Sequence, residues 1–485
     1  VKAADIHAKL EVFWLHKERL ILFSIVVLAF WLRLRGISST PTDWHAFRQA
    51  DTASVTREYV KHGIDLLHPT YQDHSNTQSG KDNPHGYRMV EFPFINAGIA
   101  LIIRTFPQLD LVTVSRLVSA VFSLGTVGAL YFLVKDLSGR RVATLAAIVF
   151  AILPYSVFYS RAILPEPAFV FFTTFAIMSF ARWTRRSHWG WYLGSLLALA
   201  LALLLKPFGL FLGPVFAVLA LQAFGWKVIL RPELYLYPIL AVFPLYGWRK
   251  WIAQFPEGIP ASDWLFNSNH IRLRPAWFRW LFYERLNKLI LGWVGIPVFS
   301  LGFLKRGKDW WVYLAWGVGL LAYLIVLATG NVQHDYYQVI TTPFVSILVA
   351  RGLVWILDLP WWRQRTFVQL GLALVILAAI YRVSWYYVHG YYGTRADWEQ
   401  AGQAVDRLTP PDALVIAPAF SDTGFLFQTN RTGWTLEGEI DKKIAQGATY
   451  YISTSYDDEA RSLEKKYTLI EKTPVYILIK LVPKQ

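Results

Sequence analysis

FPFINAGIALIIRTF, residues Phe92–Phe106, decides how the chain is threaded. The run is apolar but only about 15 residues long, and a membrane-spanning helix needs about 20. Its role follows from the basic clusters after it: Lys135/Arg140/Arg141, Arg182/Arg185/Arg186, Lys227/Arg231, Lys305/Arg306/Lys308 and Arg363/Arg365. With a cytoplasmic N-terminus and a non-spanning Phe92–Phe106, all five clusters fall on the cytoplasmic side. If the run spans, all five fall outside. Cytoplasmic loops carry an excess of Lys and Arg. The sequence therefore predicts that Phe92–Phe106 is a half-buried helix lying at the outer surface.

Spans are expected on either side of it. The first is Leu20–Leu34. Charge-poor runs of spanning length then centre on Val112–Val134, Val142–Tyr159, Pro167–Phe180, Trp191–Leu205, Phe208–Phe224 and Leu234–Tyr246. Four more follow at Leu289–Leu304, Trp311–Ala328, Val339–Leu357 and Phe367–Tyr381, making about eleven. Before the first span, Ile6, Leu10, Phe13 and Trp14 share one helical face, so residues 1–19 read as an interfacial helix. No small-residue cleavage site follows the apolar core, so this segment is expected to be retained.

Composition agrees. Of 485 residues, 54% are hydrophobic, 16% aromatic and only 17% charged, against about 25% charged in soluble domains. That excludes a disordered chain and an ordinary cytosolic enzyme. The net charge of +15 is placed by the basic inner loops, not by nucleic-acid binding. With no cysteine, disulfides, zinc-thiolate sites and a Cys nucleophile are excluded. The fold class is thus an α-helical polytopic membrane protein, residues 20–385, with juxtamembrane helices in an outer loop 36–111. Residues 386–485 read as a small extracytoplasmic α/β domain. Its expected helices are Arg395–Leu408 (capped by Thr394), Ile440–Gln446 and Asp457–Lys465, with strands Ala413–Ala417, Thr449–Ser453 and Val475–Ile479.

Polar residues collect on the outer face, where a charge at a membrane boundary is a functional hypothesis. The first loop carries Asp43-Trp44-His45-Ala46-Phe47-Arg48-Gln49-Ala50-Asp51, and either acid could also serve as a helix N-terminal charge partner. Arg161 and Glu166 stand at the next outer corner, either as a structural pair or as substrate ligands. Lys206 ends an apolar run before Pro207, either snorkelling or binding a phosphate. Gln333-His334-Asp335-Tyr336-Tyr337 precedes a late span as an aromatic belt or a substrate site. His68, His74 and His85, with Asp73 and Asp82, match no zinc pattern and read as a solvated loop.

These motifs resemble the GT-C superfamily of integral-membrane glycosyltransferases, in particular bacterial enzymes akin to protein O-mannosyltransferases and the lipid A aminoarabinose transferases. The resemblance covers roughly residues 20–385. It rests on the acidic first loop, Glu91-Phe92-Pro93, Gly139-Arg140-Arg141, Arg161…Pro165-Glu166, Lys206-Pro207 and His334-Asp335-Tyr336-Tyr337. It implies a polyprenyl-phosphate sugar as donor, used on the outer face of a bacterial inner or plasma membrane. It implies Asp51 as the base, Asp43 as its alternative, and Glu166 as a second catalytic acid. Lys206, Arg161 and Arg48 would hold the donor phosphate, and His334, Tyr336, Tyr337 and Glu91 would bind substrate. Direct displacement would invert the anomeric carbon. No cofactor is required, and a divalent metal stays open because some relatives use one. The acceptor is a glycolipid, a polysaccharide or a protein. Oligosaccharide transfer to protein and transport of lipid-linked sugars stay as alternatives.

Overall fold

The computed structural model of the protein describes residues 2–304 and 306–483, with side chains from residue 17 onward. Lys305 and the predicted apolar face Ile6/Leu10/Phe13/Trp14 lie outside that description. The helices are α1 (Lys2–Arg33), α2 (Ala46–His62), α3 (Phe94–Thr105), α4 (Leu111–Ser138), α5 (Arg140–Ile152), α6 (Pro154–Arg161) and α7 (Glu166–Arg186). They continue as α8 (Trp189–Leu205), α9 (Gly213–Phe224), α10 (Pro232–Ile252), the single turns α11 (Trp264–Asn267) and α12 (Pro275–Phe278), and α13 (Gly295–Leu301). Next come α14 (Trp310–Val326), α15 (Ala328–Gln333), α16 (Thr342–Leu357) and α17 (Thr366–Val388). The tail adds α18 (Ala396–Leu408), α19 (Thr423–Gln428), α20 (Ile440–Ala445) and α21 (Asp458–Lys466).

Four helical runs among the described residues are long and apolar enough to cross a membrane: Leu111–Ser138, Pro207–Leu230, Asp335–Leu357 and Thr366–Leu408. Counting the bent pair α5 and α6 as one gives five, and α3, α8 and α14 are shorter apolar helices. Length and composition thus single out four spans, or five with the bent pair, and do not confirm the eleven expected. The reasons are local. Val142–Tyr159 is broken at Pro154, which lacks an N–H for the helix ladder, and bends by 63°. Leu289–Leu304 is not one helix: Gly292 and Trp293 take φ 54° and 60°, so a π-helical turn Arg279–Ile290 ends there before α13. α1 runs unbroken through the boundary expected between residues 19 and 20. α3 has 12 residues, about 18 Å at 1.5 Å per residue, well short of a bilayer core.

Small residues let the helices approach. A Cβ on Gly352 of α16 would collide with the Val298 carbonyl of α13, and one on Gly302 with the Leu348 carbonyl. Close backbone contact of this kind drives packing where lipid removes the hydrophobic gain. Gly352→Ala is expected to destabilise the fold by about 1–3 kcal/mol through overpacking, seen as a lower Tm in detergent.

Ion pairs gather at one helix corner. Glu18 pairs with Lys135 and Arg140, Arg182 with Asp136, Arg141 with Asp358 and Arg351 with Asp309. All but the last involve the stretch 135–141, and Asp309 accepts from Ser138 in that stretch.

The tail forms five strands, β1 (Leu414–Ile416), β2 (Thr432–Trp434), β3 (Tyr450–Ser453), β4 (Tyr467–Lys472) and β5 (Ile477–Pro483), in the order β2-β1-β3-β5-β4. β1 is parallel to β2 and β3, and β5 is antiparallel to β3 and β4. Three strands and three helices match the sequence expectation; β2, β4 and α19 are additions. Thr394 does not cap α18, which begins after Arg395 without a side-chain cap bond.

The tail is docked on the first loop. Gly433 N donates to Gln72 O at 2.9 Å and His74 N to Gly433 O at 2.7 Å. Arg57 of α2 donates to Phe427 O at 2.8 Å. This corrects the reading of a solvated histidine loop. Asp73 is fully buried, with burial pushing its carboxyl up to about 6, and His74 is pushed down to about 4 by burial. His68 does stay at the surface, paired with Asp65 at 2.8 Å.

Candidate active site

Proline places most of the site. Pro207 has no N–H, so α8 stops and Lys206 turns out with φ −150°. Pro167 occupies the first turn of α7, which suits that position, and leaves Glu166 at the helix start. Pro93 opens α3 just after Glu91. These three ends meet. Lys206 Nζ lies 2.7 Å from Glu166 Oε1 and 3.9 Å from Glu91 Oε1. Arg48, one turn into α2, donates to the same Glu91 oxygen. All four side chains are largely withdrawn from solvent.

Their charges compensate one another. Burial would raise Glu91, but Arg48, Lys206 and Arg88 hold it below the usual carboxylate range. Burial works against the Arg48 charge, and Glu91, Tyr336, Glu166 and Asp51 outweigh it and raise its pKa. Glu166 Oε2 is buried without a hydrogen-bond partner among the described residues. Lys206 Nζ has three N–H bonds to place and faces the rings of Tyr337 at 5.2 Å and Tyr336 at 5.7 Å. His334 stacks on Tyr336 at 5.3 Å. Burial, then the positive field of His45, Lys206 and Arg48, takes His334 down to about 4.

Seven of the residues singled out in the sequence thus meet in one place: Arg48, Glu91, Glu166, Lys206, His334, Tyr336 and Tyr337. Asp43 and Arg161 are placed differently, while Asp51 lines a small pocket with Arg48, Arg88 and Glu91. Asp43 is bound by Arg161 Nη2 at 2.8 Å, Arg116 Nη2 at 3.2 Å and Gln49 Nε2 at 2.5 Å, with both arginines fully buried. Arg161 also donates to Gly36 O and lies over Phe158 and Tyr392. It therefore faces Asp43 and not the Lys206 group. Asp51 accepts from Thr423 Oγ1 of the tail at 2.7 Å and Gln78 Nε2 at 3.0 Å, and pairs with Arg88 at 2.9 Å.

The sequence motifs include Asp335 and His45 but give neither a role of its own, and they leave out Arg88. Asp335 is 1% exposed and collects His45, Trp44, Tyr159 and Tyr391. The available signal was an acid inside an apolar corner, the same signal that selected Glu166. Among the described residues, no group of three His, Asp or Glu is placed to hold a metal ion.

Residues 90–254, about a third of the chain, match the family of dolichyl-phosphate-mannose-protein mannosyltransferases. A comparison with curated proteins gives no match. In fold, the chain is similar to ArnT from Cupriavidus metallidurans bound to undecaprenyl phosphate. The TM-score is 0.67 at 14% identity, over 96% of this chain and 98% of that one. It is also similar to the oligosaccharyltransferase AglB from Archaeoglobus fulgidus in complex with an inhibitory peptide and a dolichol-phosphate. There the TM-score is 0.59 at 12% identity, over 95% of this chain and 74% of that one. An Archaeoglobus fulgidus oligosaccharyltransferase in complex with Zn and sulfate is similar too, with a TM-score of 0.55 at 14% identity, over 94% of this chain and 72% of that one. The GT-C resemblance read from the motifs is thus met by the fold.

Proposed function

We propose that the protein is a membrane glycosyltransferase that moves a sugar from a polyprenyl-phosphate donor to an acceptor hydroxyl on the outer face of the membrane. The observation that carries this reading is the buried Arg48–Glu91–Lys206–Glu166 cluster in a fold whose solved relatives hold undecaprenyl phosphate and dolichol-phosphate. Lys206 and Arg48 face the leaving phosphate, whose charge grows in the transition state. Glu166 and Glu91 then turn to the sugar hydroxyls. A cavity of about 440 Å³ lined by Leu199, Phe216, Tyr237 and, on either side of Lys206 in the chain, Leu203 and Gly209 suits a polyprenyl tail. The tail module, docked on α2 and the first loop, forms the acceptor side.

Acceptor attack opposite the phosphate inverts the anomeric carbon. The test is to incubate the detergent-solubilised protein with farnesyl-phosphate-linked hexoses and pentoses and an octyl glycoside acceptor. Farnesyl phosphate should appear together with a glycosylated acceptor of inverted configuration, read by NMR. A retained configuration contradicts direct displacement, and no lipid phosphate from any donor contradicts the enzyme reading.

A further inference from the structure

His45 has a backbone conformation that few residues adopt. Its φ of 58° and ψ of 43° put a non-glycine residue in the left-handed region ahead of α2, a strained conformation that the surroundings must hold. It makes no side-chain cap bond to that helix. Its Nε2 instead lies 2.5 Å from Asp335 Oδ1.

Asp335 fixes the tautomer. The Tyr159 hydroxyl donates to it at 2.6 Å, the Tyr391 hydroxyl at 2.5 Å and Trp44 Nε1 at 3.2 Å, with Arg285 at 3.9 Å. A group surrounded by donors acts as an acceptor, so Nε2 carries the hydrogen and Nδ1 the lone pair. Nδ1 has no hydrogen-bond partner among the described residues, and the side chain is 10% exposed. The ring meets Tyr336 edge-on at 4.9 Å, and Tyr336 in turn faces Lys206. Of the acids suggested by the resemblance, Asp43 is held by the fully buried Arg161 and Arg116, and Asp51 by Thr423, Gln78 and Arg88.

The geometry points to His45 Nδ1 as the general base of sugar transfer, with Asp335 as the positioning residue that holds its tautomer and ring. This rests on the glycosyltransferase reading above. The acceptor oxygen forms its bond to the anomeric carbon as the bond from that carbon to the phosphate oxygen breaks. The hydroxyl proton passes to Nδ1, and the electron pair of the broken bond leaves on the polyprenyl phosphate beside Lys206 and Arg48. Water then takes the proton from the imidazolium. The other charged or titratable groups facing His45 are His334, Arg285 and Asp422, besides the tyrosines named.

His45→Gln keeps an amide N–H where Nε2 stood and removes the base. In the full chain, with farnesyl-phosphate sugars and octyl glycoside, it should lower kcat by about 100-fold while donor affinity, read by native mass spectrometry, stays within twofold. In His45→Gly, which suits the left-handed backbone at this position, added imidazole should restore part of the lost turnover. Asp335→Asn should lower kcat per folded molecule with KM within twofold, and imidazole should not restore it; a merely structural role would lower the folded fraction and leave kcat per folded molecule unchanged. An undiminished kcat in His45→Gln overturns the base assignment and leaves the transferase reading standing. A His45→Gln that does not fold, together with an undiminished kcat in Asp335→Asn, also overturns it. Failure of the wild type to bind or turn over any donor overturns both.

Discussion

Lys206→Ala is expected to lower sugar transfer by about 100- to 1000-fold, the usual effect of removing one preorganised group from a developing oxyanion. Lys206 is 7% exposed and carries the ammonium nearest Glu166. Two losses combine in this variant. The leaving phosphate loses a cation, and Glu166 becomes a buried charge without its partner, a change that destabilises by about 3–5 kcal/mol when a buried pair is broken. The double variant Lys206→Met/Glu166→Gln separates them. Replacing both members of a buried pair is often neutral, so its Tm should return toward wild type while transfer stays lost. Rates come from farnesyl phosphate release and stability from thermal unfolding in the same detergent. Recovery of transfer in the double variant would show that Lys206 serves only Glu166.

Asp43→Asn is expected to act on the fold. The substitution leaves Arg161 and Arg116, both fully buried, facing a neutral amide. The expected loss is about 3–5 kcal/mol of stability, measured as a lower Tm. Rates per folded molecule should stay far closer to wild type than those of His45→Gln. A variant with wild-type Tm and abolished turnover would restore Asp43 to the catalytic role that the resemblance implies.

The contrast between the two clusters shows what the sequence could convey. Lys206-Pro207, Glu166-Pro167 and Glu91-Phe92-Pro93 were legible because proline ends or begins a helix wherever it stands, so a charge beside it is placed at a helix end. Arg161 is five residues from Glu166, and proximity in sequence suggested a shared role. The corner between α6 and α7 is non-helical, so the two side chains face different partners. The partners of Asp335 were illegible for another reason. Its donors Trp44, Tyr159 and Tyr391 are 291, 176 and 56 residues away, and no local period encodes such a convergence. Leu289–Leu304 reads as a span by composition, because hydropathy carries no signal of the left-handed backbone at Gly292 and Trp293. In the tail, β2 has only three residues and β4 is an edge strand ending in Glu471-Lys472, so neither shows an apolar run.

We assign the Lys206 cluster to a lipid-linked phosphate. The most direct test is equilibrium binding by native mass spectrometry, comparing farnesyl phosphate with farnesol on the wild type and on Lys206→Met/Glu166→Gln. Preferential binding of the phosphate by the wild type, lost in the double variant while farnesol binding is unchanged, is the predicted result. Equal binding of phosphate and alcohol by the wild type, or a phosphate preference that survives in the double variant, would contradict it.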